Sequence, residues 1–285
     1  MANLAVLTTL PQPGDLICLD KLNHASLIEA GRRSGAGCRI YPHGGLEKLE
    51  RLLARHRNTA ASAHRYVVTD TVFSMDGDVA DLTALSALSC RYDATLVIDE
   101  AHATGVLGPH GAGLSDHLGI TPQIDIAVST ASKALGGLGG IVTADRVVID
   151  TLVNRASAFI FTTALPPAQV AALGAALDLV RKEPWRRKRL DAAAGRVRAA
   201  LRELPFLSAS FQEPDPQTPI IPLIVGSASR ALALQSHLAS RGFCAAAVRP
   251  PAVAAGTSRV RLSLRADLTD KDLEALVSAV AAWRP

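Results

Sequence analysis

Short apolar runs rich in β-branched residues alternate with segments of helical periodicity through the first part of the chain. Runs of this kind, bounded by turn residues, are typical of buried strands. The predicted strands are 15–20, 38–41, 65–70, 95–99, 124–128 and 140–144. A helix is predicted at 2–10, before the first strand, and further helices at 23–34, 46–56 and 82–92 lie between strands. This alternation indicates an α/β fold, in which helices cover both faces of a mostly parallel sheet.

The pattern changes after Pro166 and Pro167. A long helix rich in Ala, Leu and Arg is predicted towards Leu204, and Pro184 should kink or break it because proline lacks a backbone N–H. Strands at 220–225, 244–248 and 259–264 then alternate with helices at 229–241 and 270–283. We therefore expect a large domain over residues 1–168, followed over residues 169–285 by the connecting helix and a smaller α+β domain.

Composition narrows the class of protein. The 285 residues are 48% hydrophobic and 20% charged, which is ordinary for a folded globular chain. No apolar run is long enough for a membrane span, and the start lacks the pattern of a signal peptide. Four scattered cysteines predict buried thiols in the cytoplasm rather than disulfides or a zinc site. The net charge of +4 is spread along the chain and does not favour nucleic-acid binding.

Lys133 is the first candidate for chemistry. It follows the predicted strand 124–128, the hydroxyl residues Ser129, Thr130 and Ser132 precede it, and glycines come after it. A lysine at a buried strand end can be desolvated, lose its proton and act as an amine nucleophile. The alternative for this pattern alone is a surface lysine in a turn.

Two other motifs match an ATPase site and a calcium site only in part. Residues 99–102 spell the Asp-Glu-Ala-His box of helicase-type ATPases, but the sequence contains no Gly-x-x-x-x-Gly-Lys-[Ser/Thr] loop to bind phosphate. Residues 76–78 (Asp-Gly-Asp) are only a fragment of a calcium loop. The eight histidines show no paired spacing, so the sequence predicts no metal site.

Pyridoxal phosphate accounts for more of these residues. That cofactor needs a lysine that forms an imine with it and a carboxylate that keeps its pyridine nitrogen protonated. Asp99 and Lys133 lie at the ends of successive predicted strands, where ligands of parallel sheets bind. The motifs at 23–26, 73–78, 97–108, 130–136, 159–167, 249–251 and 255–262 span nearly the whole chain. With them, the chain resembles the α-oxoamine synthases of the aspartate-aminotransferase-like fold (fold type I).

The resemblance implies roles for the residues that match these motifs. Lys133 would hold the cofactor as an imine and act as general base, and Asp99 would pair with the pyridinium nitrogen. His24 would stack on the ring, and Thr130 would bind the phosphate. His102 would lie near the cofactor O3′ and orient the ring or a carbonyl oxygen.

Further residues would reach the site from elsewhere in the chain or from a second copy. By resemblance, Ser74 would lie near O3′, and Arg249 would hold the carboxylate of the amino acid substrate. Family sites form at the interface of a homodimer, so Thr162 and Thr163 would reach the phosphate in the other subunit. For these two threonines, an ordinary helix-start hydroxyl is an equal alternative.

The Arg-Pro-Pro segment at 249–251 favours the oxononanoate-synthase branch of the family over the aminolevulinate, aminoketobutyrate and sphingoid-base branches. That branch condenses L-alanine with pimeloyl-CoA, or the pimeloyl carrier protein, and releases CO₂ in biotin biosynthesis. A glycine-using branch and a non-catalytic relative are the alternatives.

Two departures from the family pattern concern opposite ends of the chain. Ala252 stands where the family has threonine. The chain matches the family only from just after its glycine-aromatic turn. We therefore expect the N-terminal arm, the glycine-rich acyl-CoA loop and the phosphate-side turn to be missing.

Overall fold

The computed structural model describes residues 1–59, 62–207 and 214–284, and its backbone forms two compact units. The first unit contains Met1–Phe73 and Ala80–Glu183, and the second contains Ser74–Val79 and Pro184–Pro285. The division at Pro184 lies beyond the boundary drawn from the sequence after residue 168. It leaves the helix after Pro166 with the first unit and assigns the short segment Ser74–Val79 to the second.

The first unit alternates strands and helices as the hydrophobic pattern predicts. Its strands are β1 (Leu16–Asp20), β2 (Gly37–Tyr41), β3 (Arg65–Asp70), β4 (Thr95–Asp99), β5 (Ile126–Thr130) and β6 (Gly140–Ala144). Its helices are α1 (Ala2–Thr9), α2 (Ala25–Arg33), α3 (Leu46–Thr59), α4 (Leu82–Arg91), α5 (Leu114–His117), α6 (Arg146–Arg155), α7 (Ser157–Ile160) and α8 (Pro167–Lys182).

The strands of this unit form one sheet in the order β2-β1-β3-β4-β5-β6. The pairs from β2 to β5 are parallel, and β6 runs antiparallel to β5. All residues of β1 and β3 are buried, as expected for strands that helices cover on both faces. The predicted α/β architecture with a mostly parallel sheet is therefore confirmed.

Strand β5 begins at Ile126, later than the Ile124 predicted from its apolar run. The Ile124 N–H instead closes a short 3₁₀ turn on the Thr121 carbonyl (3.1 Å), and Asp125 accepts a hydrogen bond from the Leu96 N–H (2.7 Å). These bonds hold both residues outside the ladder. At the other end, the strand extends to Thr130 because Ser129 and Thr130 pair with Ile141 and Gly140 of β6.

The four cysteines are free, but their predicted burial holds for Cys18 alone. Cys18 lies in β1 with no exposed surface, and desolvation raises the pKa of its thiol to about 12. Cys38 is half-buried in β2, whereas Cys90 and Cys244 are exposed. Cys90 lies near the end of α4, which buries its Leu-rich face and leaves the opposite face to solvent.

The second unit has the α+β character predicted for the end of the chain. Its elements are α9 (Trp185–Arg202), β7 (Ile220–Gly226), α10 (Ala228–Ala239), β8 (Ala246–Val248), β9 (Ser258–Ser263) and α11 (Asp270–Ala281). The strands form an antiparallel sheet in the order β7-β9-β8. Leu223, Val260 and Leu234 are fully buried between this sheet and its helices. Pro184 lies between α8 and α9 and breaks the long predicted helix there.

Segment Ser74–Val79 is bound to this second sheet by arginines and a threonine. The Thr218 hydroxyl donates to the Gly77 carbonyl (2.6 Å), and the buried Arg198 donates to the carbonyls of Thr218 and Ile220 (2.9 and 2.6 Å). Desolvation lowers the pKa of Arg198 to about 10. Arg259 also pairs with Asp76. Thr218 and Arg259 hold the segment directly, whereas Arg198 holds the backbone at Thr218 and Ile220.

Gly77 should be the least replaceable residue of this segment. Its φ of +72° is unfavourable for other residues, and an added Cβ would lie 2.8 Å from the Thr218 hydroxyl oxygen. Gly242 offers a matched control, because its φ is +84° but no atom lies within 4 Å of an added Cβ. We expect Gly242→Ala to cost about 1 kcal/mol of unfolding free energy, and Gly77→Ala to cost at least twice as much. Urea unfolding of both variants measures this, and equal losses would contradict it.

Candidate active site

Polar side chains collect at the edge of the first-unit sheet where its parallel strands end. Asp20 ends β1, Asp70 ends β3, Asp99 ends β4 and Thr130 ends β5. Asp70 and Asp99 are direct partners in the parallel register of β3 and β4. Lys133 follows in the loop between β5 and β6. This edge is where ligands bind in parallel α/β sheets.

Asp99 is buried, and each of its carboxylate oxygens accepts a hydrogen bond. Oδ1 accepts from the Ala101 N–H (2.9 Å), and Oδ2 accepts from the Asn3 side-chain amide (2.7 Å). The side chain is 5% exposed. A buried carboxylate held in one orientation by two donors can present its charge to a cationic ring nitrogen.

His24 lies at the N-terminus of α2 with its imidazole exposed. Its Nδ1 accepts a hydrogen bond from the Ser26 N–H (3.2 Å) and lies 2.7 Å from the Ser26 hydroxyl. Its backbone N–H donates to Asp70 Oδ2 (2.6 Å). The ring is therefore fixed along one edge, while its faces are open to a planar ligand.

Lys133 is exposed in a tight loop that the antiparallel strands β5 and β6 close. The Ala131 N–H donates to the Gly139 carbonyl across the base of this loop (2.9 Å). The Thr130 hydroxyl, half-buried, also reaches the Gly139 carbonyl (3.3 Å) and lies 2.9 Å from the Ser132 hydroxyl. The loop therefore presents an exposed amine directly after two hydroxyl groups that can bind an oxyanion.

The Asp-Glu-Ala-His stretch serves two separate purposes. His102 is half-buried in the turns that follow β4, close in sequence to Asp99. Glu100 is 1% exposed, and its carboxylate accepts hydrogen bonds from the N–H groups of Leu114 and Ser115 (both 3.0 Å) and the Thr71 hydroxyl (2.6 Å). Desolvation raises the pKa of Glu100, and these donors oppose it. Glu100 therefore anchors the start of α5.

Asp70 is a second buried carboxyl at this edge. Desolvation, reinforced by the neighbouring Asp99 charge, raises the pKa of Asp70 to about 8. The hydrogen bond from the His24 N–H and the positive charge of Lys133 act in the opposite direction. Asp70 and Asp99 also end neighbouring parallel strands as direct register partners, so the two carboxyl groups share one edge of the sheet.

Ser74 and Arg249 belong to the second unit, so their part in a site with Lys133 stays a prediction. The Ser74 carbonyl accepts a hydrogen bond from Arg261 (2.9 Å). Arg249 is exposed just after β8, and its carbonyl accepts from the Ala252 N–H (3.0 Å) in a turn. Ala252, where the family has threonine, therefore contributes its backbone to the shape of this turn.

Thr162 and Thr163 are exposed in the loop between α7 and α8 of the first unit. Neither begins a helix, since α7 ends at Ile160 and α8 starts at Pro167. Their reach to a second subunit stays a prediction.

Three residues of the site received no role from sequence reasoning. Asn3 donates to Asp99 from α1, Ser26 supports the His24 ring, and Asp70 receives the His24 N–H. The sequence could have indicated Asp70, because this residue ends a buried apolar strand just as Asp99 does. Asn3 offered no such signal, since its partner lies 96 positions away in the sequence.

Residues 1–280 match the model of the aminotransferase class I and II family. The chain therefore belongs to that family, and its cofactor is pyridoxal phosphate. Within the family it is an enzyme of the α-oxoamine synthase type, which confirms the resemblance seen in the motifs.

Individual relatives sharpen the comparison. The 8-amino-7-oxononanoate synthase of Ralstonia pickettii is 45% identical, over 99% of this chain and 69% of the relative. A serine palmitoyltransferase from S. paucimobilis was solved with pyridoxal phosphate joined to myriocin. Its structure matches with a TM-score of 0.91 and 28% identity, and the match covers 99% of this chain and 69% of the transferase. The 8-amino-7-oxononanoate synthase of Francisella tularensis matches with a TM-score of 0.81 and 26% identity, over 98% of this chain and 78% of the synthase.

The residues at the sheet edge fit the cofactor by their chemistry. Pyridoxal phosphate needs an amine, a carboxylate for its ring nitrogen, a surface for its ring and donors for its phosphate. Lys133, Asp99, His24 and the Thr130 hydroxyl supply groups of these kinds on adjacent strand ends and on the N-terminus of α2.

Two features are absent from the described ranges, which have gaps at 60–61 and 208–213. No group of three or more His, Cys, Asp and Glu residues there is arranged to hold a metal ion. No helix in those ranges combines the length and the hydropathy that a membrane crossing requires.

The raised pKa of Asp70 predicts how stability depends on pH in the cofactor-free protein. The unfolded carboxyl has the ordinary aspartate pKa of 3.8, whereas the folded one keeps its proton until about pH 8. Folding therefore takes up a proton between these values, and stability should fall as pH rises from about 5 to 8. One such group contributes a slope of at most about 1.4 kcal/mol per pH unit.

The variant Asp70→Asn keeps an oxygen that can accept from the His24 N–H but cannot ionise. We expect its unfolding free energy to change less steeply over the same pH range. Urea unfolding of both proteins at several pH values compares the two slopes. Identical slopes would show that Asp70 does not bind the proton.

Proposed function

We propose that this enzyme condenses L-alanine with a pimeloyl thioester, with loss of CO₂, to form 8-amino-7-oxononanoate in biotin biosynthesis. The acyl group would come from pimeloyl-CoA or from a pimeloyl carrier protein. The observation that carries the proposal is the grouping of Lys133, Asp99 and His24 at one sheet edge in a chain 45% identical to a relative of that name. Its four free thiols suit the reducing cytoplasm.

The bound cofactor supplies an electron sink for the pair left on the amino acid when its α-proton departs. Asp99 would place its carboxylate beside the ring nitrogen, and its two hydrogen bonds would keep that carboxylate from rotating away. His24 would support the face of the ring through its exposed imidazole. Together these two residues would fix the plane of the ring.

Lys133 has two successive tasks in this proposal. Its amine would hold the cofactor, and as a free amine it would remove the α-proton of the amino acid as general base. The loop between β5 and β6, closed by their antiparallel pairing, would limit the movement of this amine in both tasks. His102, in the turns after β4, would orient the ring oxygen or the carbonyl that is attacked.

Residues of the second unit would bind the substrate. Arg249 would hold the carboxylate of L-alanine through two parallel hydrogen bonds, a geometry that a guanidinium group provides. Ser74 would donate to the cofactor O3′. Its backbone is held by Arg261, so the hydroxyl starts from a fixed main chain.

We also propose that the enzyme is a homodimer. Phe159, Ile160 and Phe161 are 56%, 45% and 85% exposed, next to the loop that contains Thr162 and Thr163. Helix α8, which follows, has no buried residue in this chain. Large exposed apolar side chains favour a protein interface. A second copy covering this surface would bring the two threonines towards its own phosphate site.

Because a serine palmitoyltransferase is a structural neighbour, L-serine with palmitoyl-CoA is the alternative pair of substrates. That neighbour is 28% identical, against 45% for the oxononanoate synthase relative, and the higher identity favours L-alanine. Assays with L-alanine, glycine and L-serine, each with pimeloyl-CoA and palmitoyl-CoA, separate the branches. Preference for L-serine with palmitoyl-CoA would overturn the proposed substrate.

Replacement of Lys133 tests the proposed reaction most directly. We expect Lys133→Ala to lose turnover by about a thousandfold or more, because both the attachment point and the general base are removed. Borohydride reduction followed by peptide mapping should locate the cofactor on Lys133 in the parent protein. Lys48→Ala, which replaces an exposed lysine of α3, is the control. Near-normal turnover by Lys133→Ala would contradict the proposal, and failure of the parent protein to bind the cofactor would favour a non-catalytic relative.

Replacement of Arg249 tests recognition of the amino acid. Arg249→Gln should raise KM for L-alanine by about ten- to a hundredfold, since a charge-assisted contact to the carboxylate is lost. KM for the acyl thioester should change little. Arg241→Gln, an exposed arginine shortly before β8, is the matched control. Equal KM values for L-alanine in the two variants would exclude Arg249 from carboxylate binding.

A further inference from the structure

A continuous chain of hydrogen bonds joins Asp99 to His24. The Asn3 amide nitrogen lies 2.7 Å from Asp99 Oδ2 and 2.9 Å from the Ser26 hydroxyl. The Ser26 hydroxyl lies 2.7 Å from His24 Nδ1. Asn3 is 7% exposed, and its bond to Asp99 is buried. Two residues with no role assigned from the sequence thus bridge the carboxylate and the imidazole that we assign to the cofactor ring.

The direction of these bonds is fixed by the groups that can only donate. The Ser26 backbone N–H donates to His24 Nδ1, so Nδ1 carries a lone pair and the ring proton is on Nε2. The Ser26 hydroxyl then donates to Nδ1 and accepts from Asn3. The two amide hydrogens of Asn3 are used on Ser26 and Asp99. Every hydrogen in this series of bonds therefore has one assigned acceptor.

The residues of this series of bonds come from three separate elements. Asn3 lies in α1, Ser26 and His24 lie at the start of α2, and Asp99 ends β4. Helices α1 and α2 pack together through apolar residues such as Val6 and Leu27. That packing brings the Asn3 amide to the sheet edge, where a buried carboxylate requires a donor.

We propose that Asn3 and Ser26 are positioning residues, which hold the Asp99 carboxylate and the His24 imidazole in the relative orientation that the cofactor ring requires. Asn3 sets the direction of Oδ2 towards the ring nitrogen. Ser26 sets the rotation and the tautomer of the imidazole. The inference rests on the proposed roles of Asp99 and His24, and it extends the site to α1.

The first readout is the affinity of the protein for its cofactor. It is measured by titrating the purified, cofactor-free protein with pyridoxal phosphate. Asn3→Leu has a similar shape but no donor, and we expect it to weaken binding by about ten- to a hundredfold, as for a lost hydrogen bond to a charged group. Ser26→Ala should weaken binding by about threefold to tenfold. Thr8→Val in α1 and Ser34→Ala at the end of α2 are matched controls and should bind as the parent does.

A double-mutant cycle separates positioning from general structural damage. If Asn3 acts through Asp99, Asn3→Leu should cause no further loss of affinity in the Asp99→Asn background. A full additional loss there, or parent-like affinity of the single variant Asn3→Leu, would overturn the proposal for Asn3. If Asp99→Asn by itself leaves affinity unchanged, the proposed role of Asp99 fails instead.

The tautomer of His24 gives a second readout that needs no cofactor. Nitrogen NMR of the cofactor-free protein with labelled histidine should show the proton on Nε2 in the parent and in Ser34→Ala. In Ser26→Ala the backbone N–H still donates to Nδ1 and should keep the proton on Nε2, but loss of the hydroxyl donor should shift the Nδ1 resonance. An unchanged Nδ1 resonance in a folded Ser26→Ala protein, with parent-like affinity, would overturn the role of Ser26.

Discussion

The burial of carboxylates at the ends of parallel strands is the constraint on which this site depends. A carboxylate removed from water is strongly unfavourable unless donors surround it. Asp99, Asp70 and Glu100 are each at most 5% exposed. Their donors come from different elements: α1 supplies the Asn3 amide, the start of α2 supplies the His24 N–H, and the start of α5 supplies two backbone N–H groups. The loops and helices at this edge are thus arranged to supply hydrogen bonds to buried carboxyl groups.

The antiparallel pair at the edge of the sheet has a different consequence. A parallel connection after β5 would carry the chain away through a crossover helix, whereas the antiparallel return to β6 keeps it at the same edge. Lys133 therefore lies on a short loop with both ends tied to the sheet. Such restricted movement would suit the two tasks proposed for this amine, which are to hold the cofactor and then to accept a proton.

Much of the fold follows from the hydrophobic pattern, because buried parallel strands are continuous apolar runs that end at polar residues. The strands with Asp70 and Asp99 at their ends were predictable for this reason, and Pro184 marked the break between two helices. The start of β5 was not, because it depends on the Asp125 carboxylate bonding to Leu96 in the neighbouring strand. Asn3 could not be assigned to the site for a similar reason: its role arises only when α1 packs beside α2. The burial of Glu100 likewise distinguishes an anchoring carboxylate from a metal ligand, which the letters Asp-Glu-Ala-His do not.

Because the segment Ser74–Val79 belongs to the second unit, the two units do not correspond to two consecutive stretches of the gene. The chain enters the second unit at Ser74, returns to the first at Ala80 and leaves it again at Pro184. A fragment ending at Glu183 would contain Asp76 without Arg259 and the Gly77 carbonyl without Thr218. Chimaeras between relatives that exchange everything after Pro184 would therefore pair this segment with a foreign sheet. Recombination should succeed where both parents share the glycine at position 77 and the hydroxyl that donates to its carbonyl, or where residues 74–79 are exchanged together with the C-terminal half.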